Sequence, residues 1–203
     1  MAVSSGGAAL AALYEWVGVK GREVVVPANT FWATAVAAKR AGAHVIYADC
    51  NRDDLCLSAD HLEQLLSERT AAVCVTHVGG HIAFQIDRIA SLCKEAGVAL
   101  IEDCAHAHGA SYRGKSAGSW GVGGAFSFYA TKPMPLGEGG AVATRDKELA
   151  DWVRGFRNYG KDVREGQVYY ASDSGFNYRM PDMQAAVGRE QLRRLPGIIE
   201  RRR

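Results

Sequence analysis

The chain alternates short, largely apolar segments with longer segments of helical periodicity, and this alternation restricts the folds open to it. Four of the apolar segments are bounded by Gly, Pro or polar residues and predict buried strands, at residues 23–27, 44–49, 71–78 and 98–103. Strands that are apolar throughout, rather than at every second residue, are typical of parallel sheets covered on both faces. The pattern therefore predicts an α/β fold with a mostly parallel sheet and helices on both of its faces.

The remaining elements are predicted from periodicity and from helix start and stop signals. Helices are expected at residues 8–17, 34–41, 58–66, 84–95, 146–156 and 184–203. Two further strands are expected at residues 125–131, directly before Lys132, and at residues 140–144. The polar, tyrosine-rich stretch 158–177 is predicted to be a long excursion or a mobile loop.

Composition excludes several classes of protein. The length of 203 residues suits one large domain, and the 48% hydrophobic content is ordinary for a globular protein. The net charge of +2 is too small to indicate nucleic-acid binding, and the arginines after position 188 are interpreted as a solvated helix face. Five dispersed cysteines without a C-x-x-C pair predict reduced thiols in the cytoplasm. Neither a secretory signal nor a membrane-spanning segment is predicted.

An acid and a lysine follow two of the predicted strands. Asp103 ends the segment 98–103, and Lys132 follows the segment 125–131. Ligands of α/β sheets bind just beyond the carboxyl ends of the strands, so both side chains are expected in one crevice. A pyridinium cofactor with an aldehyde needs this pair, because the amine holds the aldehyde and the carboxylate keeps the ring nitrogen protonated.

Five motifs in order carry a resemblance to a known family. They are SSGGAAL (4–10), VVVPANTFWATA (24–35), IEDCAHAHGASYRGKSAGSWG (101–121), GAFSFYATKPMPLGEGGAV (124–142) and FNYRMPDMQAAVGREQL (176–192). The chain resembles the DegT/DnrJ/EryC1/StrS family of pyridoxal-phosphate-dependent nucleotide-sugar aminotransferases. The resemblance implies the aspartate-aminotransferase-type fold (fold type I), with residues 1–203 as a cofactor-binding large domain truncated at both ends.

The resemblance also implies roles for single residues around the cofactor ring. Lys132 matches the lysine that bonds to the aldehyde of pyridoxal 5'-phosphate (PLP), and it is the expected catalytic base. Asp103 matches the partner of the pyridine nitrogen, and His106 the contact of the ring hydroxyl. Trp32 matches the aromatic residue that stacks on the ring. His108 is expected to be structural.

Four further residues are expected at the cofactor phosphate. Gly6 and Gly7 open a helix, whose N–H groups and dipole favour an anion. The family usually has SGT here, so Gly7 stands where a threonine hydroxyl would contact the phosphate. Ser127 matches another phosphate contact. Asn177 matches a residue that reaches the phosphate of a neighbouring subunit, which predicts a homodimer with a shared site; a plain turn asparagine is the alternative.

The implied reaction is transamination of a keto group on a nucleotide-linked sugar, with an amino acid, by family habit glutamate, as donor. One alternative is a relative that binds PLP in an inactive or regulatory role. Metal binding by His77, His81, His106 and His108 is disfavoured by their spacing. A generic nucleotide-binding domain is disfavoured because no G-x-G-x-x-G or Walker A motif occurs. Two roles stay open for Glu138, which either contacts the substrate or only fixes the loop.

Overall fold

A computed structural model of the chain describes residues 1–164, 167–170 and 174–202. The strands are β1 (Ala2–Val3), β2 (Glu23–Pro27), β3 (His44–Ala48), β4 (Thr70–Thr76), β5 (Ala99–Asp103), β6 (Ser111–Tyr112), β7 (Lys115–Ser116), β8 (Gly123–Ser127), β9 (Gly140–Ala143), β10 (Lys161–Arg164) and β11 (Gln167–Tyr170). The helices are α1 (Gly6–Val17), α2 (Trp32–Arg40), α3 (Ala59–Leu65), α4 (Ile86–Glu95), α5 (Lys147–Phe156) and α6 (Asp182–Glu200), and a short 3-10 turn covers Val78–Gly80. In the described chain, no helix combines the length and apolarity needed to cross a lipid bilayer.

The central sheet is mostly parallel, as the sequence predicts. Seven of the described strands pair in the order β1-β9-β8-β5-β4-β2-β3. The pairs from β8 through β5, β4 and β2 to β3 are all parallel, and only β9 runs antiparallel to its neighbours β8 and β1. Because the parallel strands point the same way, β4, β5 and β8 all deliver their last residues to one edge of the sheet.

Helices cover both faces of this sheet, which confirms the predicted layers. Along β2, Val24 and Val26 belong to one apolar core and Val25 to the other. The first core also takes buried residues of α1, α2 and α5, and the second takes those of α3 and α4. Successive side chains of a strand point to opposite faces, so a strand that feeds two cores must be apolar at every position.

Side-chain caps fix where α1, α3 and α5 begin. Ser5 precedes α1 and its Oγ accepts a hydrogen bond from the backbone N–H of Ala8 at 3.1 Å. Asp146 precedes α5 and accepts from two backbone N–H groups of the first turn. Gly18 ends α1 with φ of 74°, a left-handed conformation that glycine adopts without steric cost. The cap at Ser5 matters for function, because it sets the position of the α1 N-terminus.

Two predictions from the sequence need correction. The strand before Lys132 ends at Ser127, four residues earlier than predicted, because the β8–β9 pairing stops at the Ser127–Gly140 pair. Lys132 therefore lies in a loop. The excursion 158–177 is not all loop either, since β10 and β11 form an antiparallel hairpin within it. Residues 165–166 and 171–173 of this stretch lie outside the described residues.

Glu102 is a fully buried carboxylate that fastens the connection between β7 and β8 to the sheet. It accepts backbone N–H bonds from Gly118, Trp120 and Gly121 at 2.6–3.1 Å, and a bond from Nε2 of His77 at 3.0 Å. The Nδ1 atom of His77 accepts from a backbone N–H at 3.2 Å, so the ring proton must sit on Nε2, which donates to Glu102. Four donors thus stabilise this carboxylate away from water.

We predict that Glu102→Gln strongly destabilises the fold. The new amide NH₂ would face N–H donors that now bond to a carboxylate oxygen, leaving buried donors unpaired. The free energy of unfolding, measured by urea denaturation, should fall by at least about 3 kcal/mol. The matched substitution Glu95→Gln, at an exposed position, should change it by no more than about 0.5 kcal/mol. Equal effects of the two substitutions would contradict the role assigned to Glu102.

Candidate active site

A cleft of about 660 Å³ opens at the carboxyl ends of β4, β5 and β8. It brings together six of the eight residues predicted to bind a cofactor. The lining residues are Ser5, Gly6, Gly7, Leu10, Asn29, Thr30, Phe31, Ala33, Thr76, Val78, Asp103, Ala105, His106, Ser127, Tyr129, Thr131, Lys132 and Glu138. The cleft therefore lies where an α/β sheet places its ligands.

Asp103 lies at the floor of the cleft in a fixed orientation. Its side chain belongs to the last residue of β5, and the residue is 4% exposed. Oδ2 accepts a hydrogen bond from Thr34 Oγ1 at 2.7 Å, and Oδ1 accepts from the Ala105 backbone N–H at 3.1 Å. The backbone carbonyl of Asp103 also accepts from the N–H of His77. A carboxylate has about four acceptor sites, so capacity remains for a donor in the cleft.

Lys132 lies on the loop after β8 and is half-buried in the wall of the cleft. A turn bond from its backbone N–H to the Tyr129 carbonyl, at 2.9 Å, holds this part of the loop. Burial lowers the pKa of the Lys132 amine from its ordinary 10.5, and the negative charge of Asp103 partly opposes the shift. A larger fraction of this amine is therefore neutral and nucleophilic at neutral pH than in a solvated lysine.

Two histidines follow Asp103, and only one of them lines the cleft. His106 lines it, and burial, followed by the charge of Lys132, lowers the pKa of its ring. His108 is buried between Phe126 and Phe128, at 5.6 and 5.7 Å between ring centroids. Burial lowers the pKa of His108 to about 4, so this ring is neutral at pH 7. These surroundings favour the structural role predicted for His108.

The N-terminus of α1 forms the end of the cleft suited to an anion. Ser5, Gly6 and Gly7 line it from the helix side, and Ser127 lines it from β8. A Cβ at Gly6 would lie 2.7 Å from the Cβ of Ser127, so only glycine permits this close approach. Unpaired N–H groups and the positive end of the helix dipole point into such a site. The arrangement suits a phosphate group.

Trp32 and Asn177, two predicted cofactor contacts, do not line the cleft. Trp32 is the first residue of α2 and is 68% exposed, whereas its neighbour Phe31 lines the cleft and is 74% exposed. Because Phe31 lines the cleft and Trp32 does not, Phe31 is the better-placed aromatic candidate for stacking on a ring. Asn177 is exposed and forms an isolated bridge with Asn158. Its predicted contact with a neighbouring subunit stays a prediction.

Two clusters of metal-ligating residue types occur among the described residues, and in both the carboxylate oxygens already accept hydrogen bonds. In the cluster of His77, Glu102 and Cys104, the two ring nitrogens of His77 and both oxygens of Glu102 have hydrogen-bond partners. In the second cluster, backbone N–H groups occupy both oxygens of Asp54, and burial raises the pKa of Cys56 to about 12. Neutral thiols and occupied carboxylates are poor metal ligands.

Three threonines beside the cleft were not predicted as site residues from the sequence. Thr76 ends β4, Thr30 follows β2, and Thr34 lies in the first turn of α2. Their hydroxyl oxygens form a chain, with 2.8 Å from Thr76 to Thr30 and 2.7 Å from Thr30 to Thr34, which bonds Asp103. The available signal was the presence of threonines at or just beyond the carboxyl ends of buried strands, near the predicted crevice.

The geometry predicts how Asp103 acts on Lys132. Asp103→Asn removes the negative charge that opposes burial, so the pKa of Lys132 should fall further below 10.5. Reductive methylation with ¹³C-formaldehyde and NMR titration of the labelled amine would measure this in cofactor-free protein. The exposed Lys147, assigned in the same spectra, serves as an internal reference and should not shift. An unchanged or raised pKa of Lys132 in Asp103→Asn would contradict the prediction.

Known proteins match both the sequence and the fold. The chain is 36% identical over 202 residues to a GDP-perosamine synthase of Escherichia coli O157:H7, covering 99% of this chain and 55% of that protein. It is 36% identical over 204 residues to a dTDP-3-amino-3,4,6-trideoxy-alpha-D-glucose transaminase of Micromonospora megalomicea subsp. nigra. That match covers 99% of this chain and 53% of that protein. The crystal structure of S. venezuelae DesV superposes with a TM-score of 0.88 at 37% identity. The superposition covers 97% of this chain and 52% of DesV.

These comparisons place the chain in a family, and they also show its extent. The chain spans about half the length of the curated relatives named above. The whole of it, residues 1–203, matches the DegT/DnrJ/EryC1/StrS aminotransferase family. Since the match is complete and the cleft carries the acid, the lysine and the helix N-terminus in one place, the chain belongs to the DegT/DnrJ/EryC1/StrS aminotransferase family.

Proposed function

We propose that this protein binds PLP in the cleft and transfers an amino group from an amino-acid donor to a keto group on a nucleotide-linked sugar. The observation that carries the proposal is the placement of Asp103 and Lys132 in one cleft beside the N-terminus of α1. A buried acid, an amine of lowered pKa and an anion site match the ring nitrogen, the aldehyde and the phosphate of PLP. Residues 1–203 would then serve as the cofactor-binding large domain.

The residues of the cleft fit PLP by their chemistry. When bound, PLP supplies an electron-withdrawing ring that stabilises negative charge at a substrate carbon. Asp103 would keep the proton on the ring nitrogen, because its oriented carboxylate offsets the positive charge that this proton brings. His106 is positioned to contact the ring hydroxyl, and Phe31 to pack on the ring. The backbone N–H groups at Gly6 and Gly7, with Ser127, would hold the phosphate.

Lys132 has two tasks in the proposed reaction. Its Nζ would hold the aldehyde carbon of the cofactor, a role that requires the neutral amine that burial favours. With a donor amine in its place, the free Nζ would take a proton from the donor's α-carbon. In the second half of the reaction, the same Nζ would return a proton to the carbon of the former keto group. The lowered pKa of Lys132 suits both the removal and the return of a proton.

The substrates and the oligomer are also part of the proposal. The names of the two curated relatives refer to a GDP-linked and a dTDP-linked amino sugar, which supports a nucleotide-sugar substrate. Glutamate is the proposed donor. We further propose a homodimer in which Asn177 contacts the partner's cofactor. Its exposure on the surface and its position outside the cleft are compatible with contact across an interface.

The first experiment is cofactor attachment. The purified protein should develop a visible absorption band with PLP, and borohydride should fix the cofactor on the peptide that contains Lys132. Lys132→Ala should lose the fixed adduct. Lys115→Ala, at an exposed lysine outside the cleft, is the matched control and should retain it. An adduct on another lysine, or none at all, would overturn the assignment of the cofactor site.

A single-turnover assay separates transamination from PLP binding without turnover. With glutamate and no second substrate, PLP-loaded protein should release about one equivalent of 2-oxoglutarate, because the donor half of the reaction needs only Lys132 and the cofactor. PLP bound on Lys132 without release of 2-oxoglutarate, and with no release from other amino acids tested in the same way, would favour the inactive or regulatory alternative.

The cleft has room for the hydroxyl that the family usually carries at position 7. A Cβ at Gly7 would meet only the Oγ of Ser5, at 3.7 Å, an ordinary van der Waals distance. Gly7→Thr should therefore tighten PLP binding by about three- to tenfold, the effect of one added hydrogen bond to the phosphate. Gly7→Val has the same shape without the hydroxyl and is the control in an absorbance titration. Equal affinities of the two variants would contradict a hydroxyl–phosphate bond.

A further inference from the structure

Three threonine hydroxyls and the Asp103 carboxylate form one continuous chain of hydrogen bonds. Thr34 Oγ1 bonds Asp103 Oδ2 at 2.7 Å, Thr30 Oγ1 lies 2.7 Å from Thr34 Oγ1, and Thr76 Oγ1 lies 2.8 Å from Thr30 Oγ1. Thr34 is fully buried, and Thr76 is 7% exposed. The chain links the loop after β2 and the first turn of α2 to the last residues of the neighbouring strands β4 and β5 through side chains alone.

The direction of every bond in this chain follows from the number of protons. A carboxylate only accepts, so the single hydroxyl proton of Thr34 is given to Asp103. The Thr30–Thr34 bond must then use the proton of Thr30. The Thr30–Thr76 bond must in turn use the proton of Thr76. All three O–H groups therefore point towards Asp103, and each donor is oriented by the one behind it.

Hydrogen bonds to the backbone carbonyls of Thr34 and Asp103 anchor the two residues that form the last bond of this chain. The Tyr14 hydroxyl donates to the backbone carbonyl of Thr34 at 3.1 Å, and burial raises the pKa of Tyr14 well above 10, so this donor keeps its proton. The His77 N–H donates to the backbone carbonyl of Asp103 at 3.1 Å. Because both backbones are anchored, a change in the hydroxyl chain acts on the orientation of the carboxylate rather than on the strand.

We infer that Thr34, Thr30 and Thr76 form a hydroxyl relay that positions the Asp103 carboxylate for the ring nitrogen of the cofactor. This inference rests on the proposed function, which supplies PLP as the ligand. Thr34 is the residue that touches Asp103, and Thr76 acts two bonds away through Thr30. Hydrogen bonds in such a chain polarise one another, so loss of the most distant donor weakens the bond at the carboxylate.

Three substitutions test the relay by PLP affinity, measured by absorbance titration. Thr34→Val keeps the shape of the side chain and removes the donor, and it should weaken PLP binding by at least about tenfold, as for a lost bond to a charged group. Thr34→Ser keeps the donor and should bind within about threefold of the unmodified protein. Thr70→Val is the matched control, since Thr70 is also buried and hydrogen-bonded on β4, at the opposite end of the strand.

A double-mutant cycle separates the relay from a direct contact of Thr76 with the cofactor, since Thr76 also lines the cleft. Through the relay, Thr76→Val should weaken PLP binding by at least about threefold in the unmodified background and have no further effect in Thr34→Val. If Thr76 instead contacts the cofactor directly, the loss of PLP affinity in the double variant would equal the product of the two single losses. Multiplying effects, or a Thr76→Val protein that binds PLP like the unmodified protein, would overturn the relay.

The same cycle in cofactor-free protein keeps the test independent of the proposed function. Thr34 and Thr76 share no direct bond, yet the relay couples them through the one proton of Thr30. Each substitution changes the unfolding equilibrium constant, measured in urea, by some factor. The factor for the double variant should be smaller than the product of the two single factors by at least about threefold. If the unmodified protein does not bind PLP, the proposed function fails, and the relay is retained or rejected on this unfolding cycle alone.

Discussion

The structure depends on two neighbouring buried carboxylates at the carboxyl end of β5. Glu102 and Asp103 are successive residues of one strand, so their side chains point to opposite faces of the sheet. Glu102 accepts four hydrogen bonds from His77 and from the chain that leads into β8, while Asp103 faces the cleft. A buried carboxylate is stable only where donors surround it, and these two draw their donors from different parts of the chain. One strand end thereby fixes both the scaffold and the reactive site.

The electrostatics of the cleft follow from partial burial rather than from paired charges. Burial is the main cause of the lowered pKa values of Lys132 and His106, and the charge of Asp103 opposes both shifts. An amine and an imidazole of lowered pKa beside a fixed carboxylate suit an electron-poor ring and proton transfer. The N-terminus of α1 adds a positive potential through aligned peptide dipoles without adding a mobile side chain.

The backbone makes the cleft possible at one point of close approach. Gly6 lets the first turn of α1 lie directly against Ser127, so the helix N-terminus and the end of β8 together line the part of the cleft that suits an anion. The next residue, Gly7, has free space around it, and its lack of a side chain is a feature of this chain rather than a packing requirement. Under the proposed function, such positions would decide how strongly this particular protein holds PLP.

The sequence by itself determined the layers of the fold and identified Asp103 and Lys132 as the candidate pair. Apolar strands without alternation require a sheet buried on both faces. Asp103 and Lys132 were identified from motifs at or shortly after strand ends. Only the tertiary structure decided what depends on contacts between distant segments. Phe31 rather than Trp32 lines the cleft, and the end of the β8–β9 pairing puts Lys132 on a loop. The hydroxyl chain to Asp103 needs residues 30, 34, 76 and 103 within hydrogen-bond distance, and no local pattern encodes a distance across three strands.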